Sequence, residues 1–271
     1  TAYENNPDYP ERLFLNSAEA LELADESSMV VVVDTNRPGM TECEELLHVA
    51  KTIVVLDHHR QSSDNIDNAL LSYIEPYASS ACEMVSEVLQ YIVDDIKIPN
   101  LEASSLYAGI MIDTNNFMNK TGVRTFEAAA FLRRSGADIT LVRKMFRDDM
   151  ESYRAKAQII SSAEVYHNKY AIARGENLTI ESPTIIGAQA ANELLDINEV
   201  KASFVLTTYN GRIYVSARSI DEVNVQIIME RLGGGGHMNA SGAQFDHTDM
   251  DEAVADLKQV IDDVIEGGEI E

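Results

Sequence analysis

Three residues with metal-binding or acid–base side chains stand in a row at the end of an apolar segment. Asp57, His58 and His59 follow the run IVVL, whose branched side chains predict a buried β-strand. A second apolar run, VVVV, ends in the same way at Asp34. Because open α/β folds place ligands at the carboxyl ends of their parallel strands, we expect these side chains to meet at one rim.

A further carboxylate, Asp113, closes the apolar segment AGIMID, which is more typical of a helix than of a strand. Asp34, His58 and Asp113 therefore end three apolar segments whose tips could converge. Carboxylate and imidazole ligands suit a divalent ion such as Mn²⁺, whereas calcium favours oxygen alone and zinc favours more nitrogen or sulfur. Two such ions about 4 Å apart would clamp an in-line phosphoryl displacement.

Each of these residues also has a simpler interpretation. An aspartate at the end of a strand is often a turn former or a helix cap, and this applies to Asp34. His59 is as compatible with a packed or supporting histidine as with a ligand. Residue types and spacing leave both interpretations open.

A second candidate site lies near the C-terminal end, in the stretch GGGGH. Gly234, Gly235 and Gly236 permit positive φ and let a ligand approach the backbone, where successive N–H groups can bind an anion. His237 follows the glycines directly. Arg218 precedes them on a predicted strand and offers a bidentate fork to phosphate. The alternative interpretation of the glycine run is an ordinary flexible loop.

Polar residues that precede helical patterns are predicted to cap them. Asn224 precedes VQIIMER and is expected to cap that helix, although its side chain could also face a ligand. Ser79 and Ser80 precede ACEMVSEVL and could cap a helix whose N-terminus faces the first site.

The elements that must position these residues alternate in the first half of the chain. Strands are predicted at residues 28–35 and 51–57, both buried, and the segments between and after them have helical patterns. The spacing of Thr41 and Glu44 predicts a capping box and a helix that begins there, which would also contain Cys43. Such alternation favours a parallel sheet wrapped by helices.

The second half of the chain has a different character. Residues 201–218 read as two alternating strands joined by Asn210-Gly211, a strong hairpin signal. Pro183 is placed to open a helix, and a final amphipathic helix is predicted from about residue 249 to 265. A boundary is expected at residues 147–163, as a helical linker.

Composition limits the classes of partner. The 271 residues are 45% hydrophobic and carry a net charge of −24, with no visible basic track. Binding of long DNA or RNA requires such a track, whereas a local metal site can still bind a small phosphorylated ligand. No apolar run is long enough to span a membrane. The chain has two cysteines, too few for a disulfide framework, and no signal-peptide pattern, so we expect it to lie in a reducing cytoplasm.

The motifs together resemble a known superfamily. LDHHR, preceded by DTNRP and followed by IDTNNF, resembles the DHH phosphoesterases, and SARS, VNVQ and GGGGH resemble the DHHA1 domain that accompanies them. EPYASSACE, RTFEAA and VNVQIIMERLGGGGH are similar to the cyclic-di-AMP phosphodiesterases of Gram-positive bacteria. The resemblance implies a parallel-sheet DHH domain wrapped by helices at residues 1–146. It also implies a linker helix at 147–163 and a smaller α/β DHHA1 domain with a mixed sheet at 164–271.

The resemblance also implies a site with two Mn²⁺ ions at the interface of the two domains, with Mg²⁺ or Co²⁺ as substitutes. Asp34 would be the bridging carboxylate, and His58 and Asp113 would be further metal ligands. Asp57 and His59 would be supporting catalytic groups, with Asp57 fixing an imidazole. The residues implied to bind the substrate are Arg218, Asn224, Gly234, Gly235, Gly236 and His237.

The implied activity is hydrolysis of cyclic-di-AMP to linear pApA. Alternatives are a nanoRNase or pAp phosphatase of the same superfamily, and a nucleotide-binding module without catalysis. The implied molecule is a homodimer in the cytoplasm, attached to the membrane only through a segment outside this chain. The superfamily's first motif, HxxPDxDAxG, has no counterpart here. We therefore expect the chain to begin after that motif and its activity to be impaired.

Overall fold

The structure is a computed structural model that describes residues 3–4, 6–61, 63–92, 95–220, 223–246 and 249–268. The contacts within the chain divide it into two units, Thr1–Arg147 and Asp148–Glu271. No helix among the described residues combines the length and the apolar character that crossing a membrane would require.

The first unit contains a small parallel sheet and six helices among its described residues. Its elements are α1 (Ser17–Leu23), β1 (Met29–Val33), α2 (Leu46–Val49), β2 (Thr52–Asp57), β3 (Leu71–Ile74), α3 (Ala81–Ile92), α4 (Asn100–Asp113), α5 (Val123–Arg134) and α6 (Ile139–Met145). The strands pair in the order β1-β2-β3, and both pairs are parallel. The predicted parallel sheet with helices is confirmed.

Strand β1 is less buried than its sequence predicts. Ile53 and Val55 on the central strand β2 are each 1% exposed, whereas Val31 and Val33 on β1 are 46% and 48% exposed. Val32 alone is buried on β1. The prediction of a buried strand at residues 28–35 is therefore wrong in its burial, because β1 lies at the edge of the sheet, where neighbours are fewer.

The predicted helix at Thr41 is also wrong. The Thr41 hydroxyl donates back to the carbonyl oxygen of Pro38 at 2.6 Å, and a short 3-10 turn covers Pro38–Met40. The proline and glycine of that turn direct the chain away from a helix, which begins only at Leu46. Cys43 consequently lies outside the helices.

The other capping prediction in this unit is confirmed. The Ser80 hydroxyl accepts a hydrogen bond from the Glu83 N–H at 3.0 Å and so caps α3. Helices α3, α4 and α5 pack together, and Ile110 of α4 and Leu132 of α5, each with no exposed surface, lie in one apolar cluster. These helices fix the positions of the segments that flank the sheet.

The second unit is a mixed sheet covered by helices on two faces. Its elements are α7 (Met150–Ser161), β4 (Glu164–Tyr166), β5 (Tyr170–Gly175), α8 (Pro183–Leu194), β6 (Ala202–Tyr209), β7 (Arg212–Ser219), α9 (Val225–Arg231), β8 (Gly235–His237), β9 (Ala240–Phe245) and α10 (Met250–Glu266). The six strands follow the order β4-β5-β6-β7-β9-β8. The β5–β6 pair is parallel and the other pairs are antiparallel, as a mixed sheet requires.

Two apolar cores hold this unit together. Phe204, Ile228 and Leu257 belong to one, with α9 and α10, and Ile159 and Val205 belong to the other, with α7 and α8. The segment expected to form a linker is helix α7, which is packed on this unit through Ile159. The predicted hairpin is confirmed, since β6 and β7 are joined by a two-residue turn with positive φ at both positions.

Candidate functional site

The ends of two parallel strands bring Asp34 and His58 together. Val33 pairs with Leu56, so the residues that follow β1 and β2 emerge side by side. The Asp34 N–H donates to the Leu56 carbonyl at 3.0 Å, while its backbone turns into the left-handed region at φ 65°. Nε2 of His58 lies 3.3 Å from Oδ1 of Asp34. The rim expected from the sequence is therefore formed by these two residues.

The ring of His58 is oriented by a backbone group. Its Nδ1 lies 3.4 Å from the carbonyl oxygen of Ala78, and its side chain is 10% exposed. A carbonyl oxygen can only accept, so this contact places the proton on Nδ1. Nε2, which faces Asp34, is then free to bind a cation.

The ring of His59 is oriented by a buried carboxylate. Its Nδ1 lies 2.7 Å from Oδ1 of Asp57, which has no exposed surface. The same oxygen accepts the His59 N–H at 3.1 Å, and Oδ2 accepts from Nδ2 of Asn36 at 2.5 Å. A carboxylate that holds Nδ1 of a histidine leaves Nε2 as the ligand atom and increases its basicity.

Asp34, His58 and His59 form a candidate metal-ligand group among the described residues. Each offers one ligand atom, and these atoms lie within 4.8 Å of one another. One carboxylate and two imidazoles with anchored Nδ1 atoms fit a divalent transition ion. His59, expected as a supporting group, thus stands with the ligand atoms, and Asp57 is the carboxylate that holds it.

Asp113 lies at the margin of this group. Its Oδ2 is 4.0 Å from Nε2 of His58, and it is the last residue of α4. Burial raises the pKa of Asp113, with a further increase from the charge of Asp34 and an opposing decrease from His58. The third segment end therefore approaches the rim, although its carboxylate is not part of the compact group.

The thiol of Cys82 has a raised pKa in the metal-free protein. Burial, followed by the charges of Asp113 and Asp34, raises the pKa of Cys82 to about 11. A thiol binds metal as thiolate, and Cys82 is protonated at neutral pH under these conditions. The compact group of Asp34, His58 and His59 itself offers oxygen and nitrogen atoms.

In the second unit, the sheet register places Arg218 and His237 on one face. Both residues pair with Ala240, from β7 on one side and from β8 on the other. Directly paired residues point to the same face of a sheet, and two strand spacings separate the outer pair by roughly 10 Å. The side chain of Ala240, which lies between them in the register, is a single methyl group.

Arg218 has the properties of an anion-binding residue. Its side chain is half-buried, and burial lowers the pKa of its guanidinium. Its Nη1 donates to the Ala217 carbonyl at 2.9 Å, and no carboxylate among the described residues forms an ion pair with it. A partly desolvated guanidinium without a carboxylate is suited to a phosphate.

The glycine run forms part of a strand, which argues against its alternative interpretation as an ordinary flexible loop. Gly235, Gly236 and His237 make up β8, which pairs with β9 at the edge of the sheet. The expected positive φ is present at Gly233 (79°) and Gly236 (144°). Hydrogen bonding to β9 orders the segment, although its sequence is that of a flexible chain.

Close strand packing explains two of the glycines. A Cβ at Gly234 would lie 2.1 Å from the carbonyl oxygen of Gly242, and one at Gly236 would lie 2.7 Å from that of Ala240. At Gly235, no described atom lies within 4 Å of an added Cβ. Gly235 is therefore the position where packing does not require glycine and where a ligand could approach.

A matched pair of alanine substitutions tests which of these glycines is required by packing against β9. Gly234→Ala is expected to lower the free energy of unfolding by about 1–3 kcal/mol, because the new methyl group overpacks β9. Gly235→Ala is expected to leave that free energy unchanged within about 0.5 kcal/mol. Urea unfolding measures both. Equal losses in the two variants would contradict this account of the run.

Asn224 acts as a helix cap, as expected. Its Oδ1 accepts a hydrogen bond from the Gln226 N–H at 3.1 Å at the start of α9. The capping role alone explains an asparagine at this position, so the structure gives no separate reason to place Asn224 in a ligand site.

Three supporting groups were not identified from the sequence. Asn36 and the carbonyl of Ala78 contact the site residues across long stretches of the chain, and Arg124 lies 3.6 Å from Glu75 and 4.0 Å from Glu83, in the segment that contains Ala78. The segment EPYASSACE contains Ala78 and the segment RTFEAA begins with Arg124, but the sequence indicated no role for either residue in the site.

Comparison with known proteins matches both units. Residues 3–110 match the family model described as DHH family, N-terminal domain, and residues 177–266 match that of the DHHA1 domain. The two models together cover most of the chain, and the first contains Asp34, His58 and His59.

Two curated proteins illustrate the sequence similarity. The chain is 44% identical over 251 residues to the cyclic-di-AMP phosphodiesterase GdpP of Geobacillus thermodenitrificans, covering 92% of this chain and 38% of that protein. It is 31% identical over 227 residues to the bifunctional oligoribonuclease and PAP phosphatase NrnA of Mycoplasma genitalium, covering 80% of this chain and 68% of that protein. The chain thus spans less than two fifths of the length of the first relative.

A solved structure supports the fold. An exopolyphosphatase-related protein from Bacteroides fragilis superposes with a TM-score of 0.78 at 23% identity, covering 90% of this chain and 74% of that one. At this level of identity the likeness concerns the fold.

Proposed function

Since this chain belongs to the DHH family, with a DHHA1 domain in its second unit, we propose that it is the hydrolytic region of a metal-dependent cyclic-di-AMP phosphodiesterase. Its product would be linear pApA. The carrying observation is the group of Asp34, His58 and His59 at the ends of two parallel strands. The choice of substrate is supported by the 44% identity to a protein of that activity.

The residues of the site are arranged to hold a cation and to keep it in place. Ala78 and Asp57 anchor the Nδ1 atoms of His58 and His59, so that each ring has one free nitrogen. When bound, a divalent ion supplies positive charge that stabilises the negative charge developing on the phosphate oxygens. The buried position of Asp57, with Asn36 as its second partner, keeps the His59 ring from rotating.

The finer assignment of the metal also belongs to the proposal. We propose Mn²⁺ as the ion, with Mg²⁺ or Co²⁺ as substitutes, and two ions per intact site. The mixed oxygen and nitrogen ligands favour a transition ion over calcium. Asp113 would be a further ligand of such a site, since its Oδ2 lies 4.0 Å from Nε2 of His58.

Phosphate binding is assigned to the second unit. Arg218 and His237 share one face of the sheet beside Ala240, and Arg218 has no described carboxylate partner. We propose that these two side chains bind phosphate oxygens of the nucleotide. The net charge of −24 opposes the binding of long nucleic acid and is compatible with a small ligand held locally.

A second candidate function is supported by a separate comparison. The chain covers 68% of the NrnA relative, whose name gives oligoribonuclease and PAP phosphatase activities. The same ligand group would serve these reactions, because all of them cleave phosphate esters. A nucleotide-binding module without catalysis is the third possibility and is tested by the same experiment.

Further properties of the intact molecule are part of this proposal. We propose a homodimer whose hydrolytic region lies in the cytoplasm, with membrane attachment through a segment outside this chain. Sedimentation and membrane fractionation of the full-length protein would test these points separately from catalysis.

The deciding experiment compares substrates under defined metal conditions. The chain is freed of metal with a chelator and then supplied with Mn²⁺, Mg²⁺ or Co²⁺, and turnover of cyclic-di-AMP, pAp and short oligoribonucleotides is measured by chromatography. A parallel arm uses the chain extended by a segment with the HxxPDxDAxG motif. The expected result is metal-dependent formation of pApA, fastest in the extended protein.

The alternatives give different results in the same assay. Faster turnover of pAp or oligoribonucleotides than of cyclic-di-AMP would favour the second candidate. Tight nucleotide binding in calorimetry, with no metal requirement and no turnover in either arm, would favour the binding module and reject the proposed enzyme.

A further inference from the structure

The guanidinium of Arg124 gathers acceptors from two elements of the first unit. Its Nε and Nη2 donate to the two carboxylate oxygens of Glu87 at 2.7 and 2.6 Å. Nη2 also donates to the Tyr73 hydroxyl at 3.2 Å. Glu75 lies 3.6 Å from Nη1, and Glu83 lies 4.0 Å from Nε. Arg124 on α5 thus connects the end of β3 with the first half of α3.

These acceptors flank the loop at residues 75–80, which joins β3 to α3. At its start, the Glu75 N–H donates to the carbonyl oxygen of Asp57 at 2.9 Å. The Ala78 N–H then donates to the Glu75 carbonyl at 3.0 Å, which closes a turn. The loop therefore begins with a hydrogen bond to β2, the strand that ends in the metal-ligand motif.

Glu83 holds the other end of the loop. Its carboxylate accepts from the Ser79 hydroxyl at 2.5 Å and from the Ser79 N–H at 3.4 Å. Its own N–H donates to the Ser80 hydroxyl at 3.0 Å. All three residues are at most 1% exposed. The backbone around Ser79 therefore depends on the position of the Glu83 carboxylate.

The carbonyl that orients His58 lies between these two ends. Ala78 precedes Ser79 directly, and its carbonyl oxygen is the partner of His58 Nδ1. Movement of the loop by a fraction of an ångström would lengthen a contact that is already 3.4 Å long. Hydrogen bonds weaken steeply beyond this distance.

We propose that Arg124 is a positioning residue for His58, acting by holding both ends of the loop that contains the Ala78 carbonyl. Glu75, Glu83 and Glu87 place three carboxylates around this single guanidinium. Without the guanidinium, repulsion between the carboxylates favours separation of β3 from α3. Glu75 and Glu83, whose hydrogen bonds hold the two ends of the loop, would then shift and move the carbonyl between them. The relevance to catalysis, although not the geometry, rests on the proposed function.

The test compares two substitutions on the same helix. Arg124→Gln removes the bidentate fork, and Arg134→Gln makes the same change near the end of α5, outside the contacts described above. Mn²⁺ affinity is measured by calorimetry, and the protonation of the His58 ring nitrogens is read from ¹⁵N NMR of the metal-free protein. Thermal unfolding shows whether each variant is folded.

Arg124→Gln is expected to lower Mn²⁺ affinity by roughly 10–100-fold, the usual effect of losing a supporting contact of a ligand. The His58 signals are expected to show a loss of the Nδ1–H form. Arg134→Gln is expected to retain both the affinity and the spectrum. Unchanged affinity and an unchanged His58 spectrum in folded Arg124→Gln would overturn the inference, as would equal losses in both variants.

A conservative substitution covers the case in which Arg124→Gln does not fold. Arg124→Lys keeps the charge and loses the fork, so its Mn²⁺ affinity is expected to lie between those of the native protein and a protein without the contact. Affinity and a His58 spectrum equal to the native ones would overturn the inference in that case.

These measurements are independent of the proposed reaction because they are made without substrate. If cyclic-di-AMP is not hydrolysed but Mn²⁺ binding depends on Arg124, the proposed function fails and the positioning role stands. If hydrolysis is present and Mn²⁺ binding does not depend on Arg124, the positioning role fails and the function stands.

Discussion

His58→Ala is expected to remove most of the divalent-ion affinity of this chain, together with any turnover. His58 provides a ligand atom 3.3 Å from the Asp34 carboxylate, and its ring is held by a backbone carbonyl. Loss of a ligand should exceed the roughly 10–100-fold reduction that follows loss of a supporting contact. Calorimetric titration with Mn²⁺ measures the affinity directly, and turnover of cyclic-di-AMP is followed in parallel.

His48→Ala is the matched control for this experiment. His48 is an exposed histidine on α2 in the same unit, so its removal changes the composition equally. It is expected to leave Mn²⁺ affinity unchanged. If the two variants bind Mn²⁺ equally well, the assignment of the metal site to the strand ends is wrong.

Asp57→Ala is expected to reduce both stability and metal affinity. Asp57 is fully buried and accepts from Nδ2 of Asn36 and from the N–H and Nδ1 of His59. Each buried donor left without a partner costs about 1–3 kcal/mol, and the His59 ring becomes free to turn. The free energy of unfolding from urea titration and the Mn²⁺ affinity should therefore fall together.

The exposed Asp67 provides the comparison for this variant. Asp67→Ala makes the same substitution in the loop before β3, where the side chain faces solvent. Its effect on the free energy of unfolding is expected to stay within about 0.5 kcal/mol. A stability loss in Asp57→Ala no larger than this would show that the buried carboxylate does not organise the site.

The sequence predicted the parts of the site that depend on local pattern. Apolar runs identified β1 and β2, and the rule that ligands lie at the carboxyl ends of parallel strands placed Asp34 beside His58. The parallel pairing of Val33 with Leu56 produces this arrangement. The hairpin at Asn210-Gly211 could also be predicted from the sequence. Its two-residue turn requires positive φ at both positions, and asparagine and glycine adopt positive φ readily.

The supporting network could not be predicted in the same way. Arg124 binds Glu87 and Tyr73 across 37 and 51 positions of the chain, so no local pattern indicates the pairing. The sequence overestimated the burial of β1. A run of valines shows that the segment favours a buried position, but its actual burial depends on the elements that pack against it, and β1 is an edge strand. The helix start predicted at Thr41 is wrong because the Thr41 hydroxyl donates to the Pro38 carbonyl in a 3-10 turn, whereas an N-cap hydroxyl accepts from a later backbone N–H.

The edge position of β1 in the described part of the chain affects how this chain will behave at high concentration. Val31 and Val33 remain about half-exposed on a strand that ends the three-stranded sheet. A strand edge with apolar side chains is a template for association with another chain. Preparations of this chain should therefore be compared at several dilutions, so that association of these edges is not taken for a native dimer.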